Sequence, residues 1–207
     1  MFKVYGRANS INVRKVLWML DEVGEAYERA DWGRGYRSTS EPEFVKISTF
    51  GVVPVIQDGD FILRESQSIV RYLASKHKRH DLYPTALQPR ARVESWMDWA
   101  STDLYGAARP VFHAMIVNAK DPMTATAPAE GVADWTKHMR RLDQQLASQG
   151  PFLMGEHFTI ADIPAGMVVN RWFTLPFQKP ELPAIAAYYD CLAERPAYRT
   201  HGRNGTP

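Results

Sequence analysis

Val52-Val53-Pro54-Val55-Ile56, then Gln57-Asp58-Gly59-Asp60, then Phe61-Ile62-Leu63: two apolar runs flank an Asp-Gly pair, a strong short-range signature of a β-hairpin. Pro54 has no N–H to give to a ladder, so it belongs at a strand's first residues or at an edge. The bond before it is one of the few places where a cis peptide is accessible. Downstream, Ile69, Val70 and Leu73 mark a helix starting near Ser66. Upstream, Glu41-Pro42-Glu43 opens a short helix toward Ile47, after a polar stretch from Gly33 to Ser40. Ala26 to Trp32 reads as a strand. Val13, Val16, Leu17 and Leu20 fall on one helical face between Ser10 and the stop at Gly24. Phe2-Lys3-Val4-Tyr5 alternates and ends at Gly6, a first short strand. The order βαβαββα predicts a mixed sheet flanked by helices.

The remainder reads as helical. Residues 1–79 form the first expected domain, the proline-punctuated 80–88 a linker, and 89–207 the second domain. From Val93 the apolar positions continue at helical spacing to Met115, with Pro110 inside that run deleting one backbone bond. Val132, Trp135, Met139, Leu142 and Leu146 predict another helix, stopped at Gly150-Pro151. Thr159-Ile160-Ala161-Asp162 has the spacing of a capping box, with Phe158 and Ile163 placed to staple it. Ile185, Tyr188, Tyr189 and Leu192 give one more helix.

Composition narrows the function. The 207 residues carry 25 basic and 23 acidic side chains, a net charge of +2, which argues against a dedicated nucleic-acid or anionic-membrane binder. A single cysteine, Cys191, leaves no internal disulfide, no CxxC pair and no cysteine-rich zinc site. No apolar run approaches the ~18 residues of a membrane span, and the start, MFKVYGRANS, lacks a signal's apolar region. The expected location is cytoplasmic.

Most chemical motifs fail on inspection. Gly33-Arg34-Gly35-Tyr36-Arg37-Ser38 lacks the third glycine and the long helix of a dinucleotide loop. The six histidines form no metal-binding spacing, so no metal is expected. No serine stands in a G-x-S-x-G setting. Trp18, Trp96, Trp99 and Trp135 read as core. Two places stand out, both strand ends that run into helix starts: Asn9-Ser10-Ile11-Asn12-Val13-Arg14 and Arg64-Glu65-Ser66-Gln67. A helix N-terminus offers N–H groups and a positive dipole end to an anion. The plain alternative at each is a capping residue.

In this order and spacing, the opening strand, Ser10 to Val16, Gly51-Val52-Val53-Pro54-Val55, Glu65-Ser66-Gln67-Ser68-Ile69 and Phe158-Thr159-Ile160-Ala161-Asp162 resemble the cytosolic glutathione transferase family. The resemblance covers nearly the whole chain, and is best to bacterial, serine-type members similar to the theta and phi classes. It implies a thioredoxin-like N-terminal βαβαββα domain followed by an all-helical C-terminal domain.

The resemblance also implies roles. Ser10, four residues before the arginine matched by Arg14, would stand beside the glutathione sulfur, with Asn12 as the alternative. Val53, before Pro54, would offer backbone groups to the cysteinyl part. Glu65 and Ser66 would hold the γ-glutamyl end. Thr39 and Ser40 are neutral where phi-like members place basic groups, leaving Arg37 as the substitute for the glycyl end. Glutathione would be a co-substrate, with no tightly bound cofactor, and a small hydrophobic electrophile the acceptor. Ile11, Arg109, His113 and Trp172 are candidates for the acceptor wall, expected between the domains, and helical periodicity equally permits Arg109 and Trp172 a structural role. A homodimer is implied, with Asp103 or Asp98 near the neighbouring subunit's glutathione. The alternatives are glutathione-dependent peroxide or disulfide reduction, and a non-catalytic binding protein of the same fold.

Overall fold

A computed structural model describes residues 1–121 and 125–207, which fall into two compact units, Met1–Tyr83 and Pro84–Pro207. The first unit runs β1 (Phe2–Tyr5), α1 (Ile11–Val23), β2 (Tyr27–Ala30), α2 (Pro42–Ile47), β3 (Val55–Asp58), β4 (Phe61–Arg64) and α3 (Ser66–Lys76). The βαβαββα order read from the sequence is the order observed. Among the described residues these strands form one sheet, β2-β1-β3-β4, with β2 parallel to β1 and the other pairings antiparallel.

Each element follows from its residues. Alternation in β1 buries Phe2 and Val4 on one face, where Lys76 of α3 lies over the Phe2 ring at 4.5 Å. Tyr5 faces the other way and packs with Val53 and Ile47 against the buried Trp32, Phe44 and Val55. The apolar stripe of α1 is buried and packs on α3. Gly24 ends α1 in the left-handed region at φ 69°, where glycine has no Cβ penalty. The hairpin turns through Gly59-Asp60, with Asp58 opposite Phe61. β3 starts at Val55, just after Pro54, and the Val53–Pro54 peptide is cis.

The second unit contains α4 (Leu87–Trp99), α5 (Tyr105–Phe112), α6 (Ala129–Gln149), α7 (Asp162–Thr174), α8 (Pro183–Ala193) and α9 (Pro196–His201). π-helical stretches at Ala100–Leu104 and His113–Val117 flank α5. Residues Asp162 to Trp172 of α7 are all buried, with the polar Asp162, Asn170 and Arg171 among them. α4, α5 and α8 pack on it.

Its start is fixed by Asp162, which is 0% exposed. The Asp162 carboxylate accepts from Thr159 N (2.8 Å), Thr159 Oγ1 (3.3 Å), Leu153 N (3.0 Å) and Tyr188 OH (3.1 Å). Burial still outweighs these four donors and pushes its pKa up to about 6.

The structure differs from the sequence expectations at the start of one helix and in the burial of two tryptophans. The helix expected from Val93 begins at Leu87; Pro89 sits in its first turn, where a missing N–H breaks no helical bond. The unit boundary falls inside the stretch expected as linker, and Leu82 and Tyr83 are buried within the first unit. Trp96 and Trp99 are only half-buried, meeting edge to face at 5.3 Å, whereas Trp32 and Trp172 lie in cores. The short α9 has too few residues to show a period and was not anticipated.

Candidate active site

The strand registers bring the two singled-out segments together. Tyr5 lies opposite both Ala30 and Val55, and Val55 lies opposite Arg64. The exits of β1, β2 and β4 and the entry to β3 therefore share one end of the sheet. Across it, in order, stand the loop of residues 31–41, the Gly6–Ser10 turn, Val53–Pro54, and Glu65–Ser66.

The Gly6–Ser10 turn is shaped by close approach. A Cβ on Gly6 would meet Val13 Cγ2 at 2.5 Å and Val53 Cβ at 3.1 Å. Ser10 N donates to Arg7 O at 3.1 Å, and Arg14 N donates to Ser10 O at 2.9 Å, the first bond of α1. Ser10 occupies the N-cap position and is 9% exposed, yet its hydroxyl makes no capping bond. That leaves an O–H donor, and a helix N-terminus without a side-chain cap, facing the same end of the sheet. Asn12 lies inside the first turn, not at the cap; its Oδ1 accepts from Lys15 Nζ at 3.0 Å, which leaves its amide N–H groups as donors.

Across Val53–Pro54, Glu65 takes φ 69°, ψ 113°, in the positive-φ region that a non-glycine residue enters at a cost. Its carbonyl accepts from Ile69 N at 2.9 Å to start α3, and its Oε1 accepts from Arg64 at 3.0 Å. Ser66 follows, buried, as the first residue of α3. Strain of this kind at a strand–helix junction is a feature of functional sites, and nothing in composition or periodicity signals it.

Arg37 lies 4.0 Å over the Trp32 ring and is held by two carboxylates. Its Nη2 and Nε donate to Glu41 at 2.9 and 3.3 Å, and its Nη1 and Nη2 donate to Glu43, the first at 3.2 Å. The bond from Arg37 holds the Glu43 carboxyl below its ordinary value. Arg37 and Glu41 stand at i, i+4, a spacing that suits an ion pair.

In the second unit, Asp103 is exposed on the first π-helical stretch, its Oδ2 accepting from Thr102 Oγ1 at 2.7 Å. Arg109 is exposed and His113 half-buried, four residues apart on one helical face. Trp172 is 1% exposed and packs edge-on against Trp135 (5.1 Å) and Phe177 (5.3 Å), the structural role that its spacing also allowed. Ile11 is buried at the start of α1. Burial, then the nearby carboxylates of Glu194 and Asp162, push the Cys191 thiol up, so it is no activated nucleophile. Among the described residues no group of His, Cys, Asp and Glu is placed to hold a metal ion, and no helix is long and apolar enough to cross a membrane.

Known proteins carry the same arrangement of halves. Residues 1–75 match the family model of the glutathione S-transferase N-terminal domain, and residues 125–191 that of its C-terminal domain. The chain is 31% identical to glutathione S-transferase GstB of Escherichia coli over 96% of both chains. It is 29% identical to glutathione S-transferase 3 of Zea mays, covering 95% of this chain and 91% of that one. A solved structure of a theta class glutathione S-transferase from Xanthomonas axonopodis pv. citri, with glutathione bound, superposes with a TM-score of 0.88 at 36% identity, covering 97% of this chain and 96% of the other. A sequence matched in both its halves, and a fold matched end to end, place this chain in the glutathione S-transferase family.

Proposed function

We propose that the protein conjugates glutathione to small hydrophobic electrophiles, with the glutathione thiolate held at the start of α1 by Ser10. The observation that carries this reading is the Ser10 hydroxyl: nearly buried, at the head of a 13-residue helix, and spent on no cap. A thiolate is the nucleophile, and a cysteine-type thiol has a pKa of about 8.5. Lowering it by about two units takes roughly 2.7 kcal/mol of preference for the anion. A hydroxyl bond to a charged sulfur supplies about 1.5–3 kcal/mol, and a helix N-terminus about 0.3–1 kcal/mol. The sum suffices without a general base, and Asn12 offers a second donor two residues on. The sulfur lone pair then forms the new S–C bond as the electrophile's leaving group departs with its electron pair, or as an activated double bond takes the charge.

The rest of the tripeptide lies along the sheet end. Four strands span about 14 Å, enough for an extended tripeptide of about 10 Å. Val53 faces the cysteinyl backbone beside Pro54. Glu65 and Ser66 receive the γ-glutamyl amine and carboxylate. Arg109 and His113 belong to the acceptor side. The protein acts as a homodimer, with Asp103 near the partner's glutathione. Phe50, 60% exposed, lines one hollow with Val45, Ile62 and Arg64, whose guanidinium lies 3.4 Å over the Phe50 ring.

Retention on immobilised glutathione, together with turnover of 1-chloro-2,4-dinitrobenzene into its glutathione conjugate, tests the reading. Retention without turnover points to a binding protein instead. Light scattering at micromolar concentration tests the dimer; a single species at 23.5 kDa refutes it.

A further inference from the structure

We infer that the second unit holds a further ligand site, at the turn from α7 into α8, which takes a compact aromatic carboxylate against Lys179. None of the residues assigned above to glutathione or to its acceptor lines it.

One stretch of chain builds the hollow. Trp172 and Phe173 line it from the end of α7, Leu182 from the connection, and Pro183 and Ala186 from the first turn of α8. Its walls are thus mostly apolar, and two of them are aromatic. Phe173 is 39% exposed and is held by stacking on Tyr189, with ring centroids 4.5 Å apart. The hollow encloses about 380 Å³, within the range of small-ligand sites. At about 30 Å³ per heavy atom it has room for roughly a dozen. That suits a pair of fused rings and is too small for a long acyl chain.

Lys179 gives the hollow its chemical preference. The residue lines it and is half-buried. Its Nζ donates to Leu175 O and, at 3.0 Å, to Phe177 O, and lies 4.2 Å over the Phe177 ring. An ammonium has three protons to give, so two bonds fix its position and one proton is left. Among the described residues no carboxylate pairs with it, and burial holds its pKa below the ordinary lysine value. A cation drawn out of water calls for a counter-ion. Glu181, the acid at the rim, is exposed and makes no bond to Lys179. The start of α8 is already served by Asp143, whose Oδ1 accepts from Ile185 N at 3.0 Å. The anion of a ligand therefore falls to Lys179, with its rings against the apolar walls. A bare cap on the last carbonyls of α7 is the purely structural role of this lysine, and it calls for no ligand.

The test titrates 2-naphthoate and its uncharged counterpart, 2-naphthamide, into the full chain by calorimetry. Each titration is run with and without saturating S-hexylglutathione, which fills the glutathione and acceptor positions. Naphthoate is expected to bind under both conditions, about tenfold more tightly than naphthamide. Lys179→Met should abolish that preference while leaving naphthamide within about twofold of its parent affinity. Ala186→Trp, which fills the hollow from an exposed position on α8, should weaken both ligands about tenfold or more.

Equal affinity for acid and amide in the parent protein overturns the inference. So does full displacement of naphthoate by S-hexylglutathione, or unchanged naphthoate affinity in variants whose circular dichroism is native. If Lys179→Met loses its fold at the end of α7, Ala186→Trp still decides, because it leaves the lysine and its carbonyl bonds in place. Failure of S-hexylglutathione to bind would count against the glutathione reading, a separate result, and the acid-to-amide ratio in the parent and variants then decides for the hollow.

Discussion

Replacing Ser10 with alanine separates the two roles that its position permits. As a capping residue its loss would cost about 1 kcal/mol of stability. The hydroxyl makes no capping bond, so the melting temperature should scarcely move. As a thiolate donor its loss removes one charge-assisted bond of about 1.5–3 kcal/mol, which raises the pKa of bound glutathione by about one to two units. The hydroxyl favours charged over neutral sulfur, whereas the tripeptide's ends hold both forms alike. The loss should therefore fall on kcat/KM near neutral pH, about tenfold to a hundredfold, with glutathione affinity little changed. Thiolate ultraviolet absorbance against pH, at saturating glutathione, reads the shift directly for the parent, Ser10→Ala and Asn12→Ala. If Ser10→Ala titrates like the parent while Asn12→Ala shifts upward, the roles are reversed and the assignment is refuted. A drop in melting temperature worth a full cap would show that the hydroxyl serves the helix in solution.

Other outcomes follow from the same geometry. Glu65→Ala and Ser66→Ala should each weaken glutathione binding about ten- to hundredfold by calorimetry; unchanged affinity in both removes this junction from the site. Gly6→Ala drives a Cβ to 2.5 Å from Val13 Cγ2, so denaturant unfolding should show a loss of about 1–3 kcal/mol. Asp162→Ala strands Leu153 N and Thr159 N in the interior, each at about 1–3 kcal/mol, while Tyr188 OH keeps the Asp162 carbonyl at 3.3 Å, and a midpoint unchanged from the parent would contradict that network. The Asp162 pKa is about 6 when folded against an ordinary 3.8. The folded state therefore holds the proton over that interval, and this group's contribution to stability falls as pH rises through it, by up to about 3 kcal/mol. Asp162→Asn should flatten that slope in denaturant midpoints between the two pH values.

Periodicity made the elements legible where the pattern is long or punctuated. Val13 to Leu20 with Gly24, Trp135 to Leu146 with Gly150, and the Asp58-Gly59 hairpin all declare their type, because burial on one face imposes a period on the residues themselves. Leu87 to Arg92 has no such face, so the start of α4 was hidden, and six residues of α9 are too few for a period. The candidate site was legible as two strand–helix junctions, since Ser10 and Glu65-Ser66 follow strands and precede helical faces. What stayed hidden depends on three-dimensional placement. The positive φ of Glu65 and the Ser10 hydroxyl that makes no capping bond are properties of conformation rather than of residue type. A one-dimensional pattern records the residues and leaves their orientation out.

The four strands are only four residues long, and every segment of the candidate site leaves them at one end. The hairpin tip, Gly59-Asp60, closes the other end and is exposed, about 13 Å away along β3. Chemistry and handling are thus separated along the sheet axis. A reactive tag, an inserted peptide or a link to a solid support at Gly59-Asp60 would hold the protein by its far edge, with the candidate site's end of the sheet turned outward. Asp58, whose carboxylate takes bonds from Tyr72 and Lys76, marks how close to the strands such a graft can come. A sensor surface or packed reactor built on that attachment point would present every molecule in the same orientation.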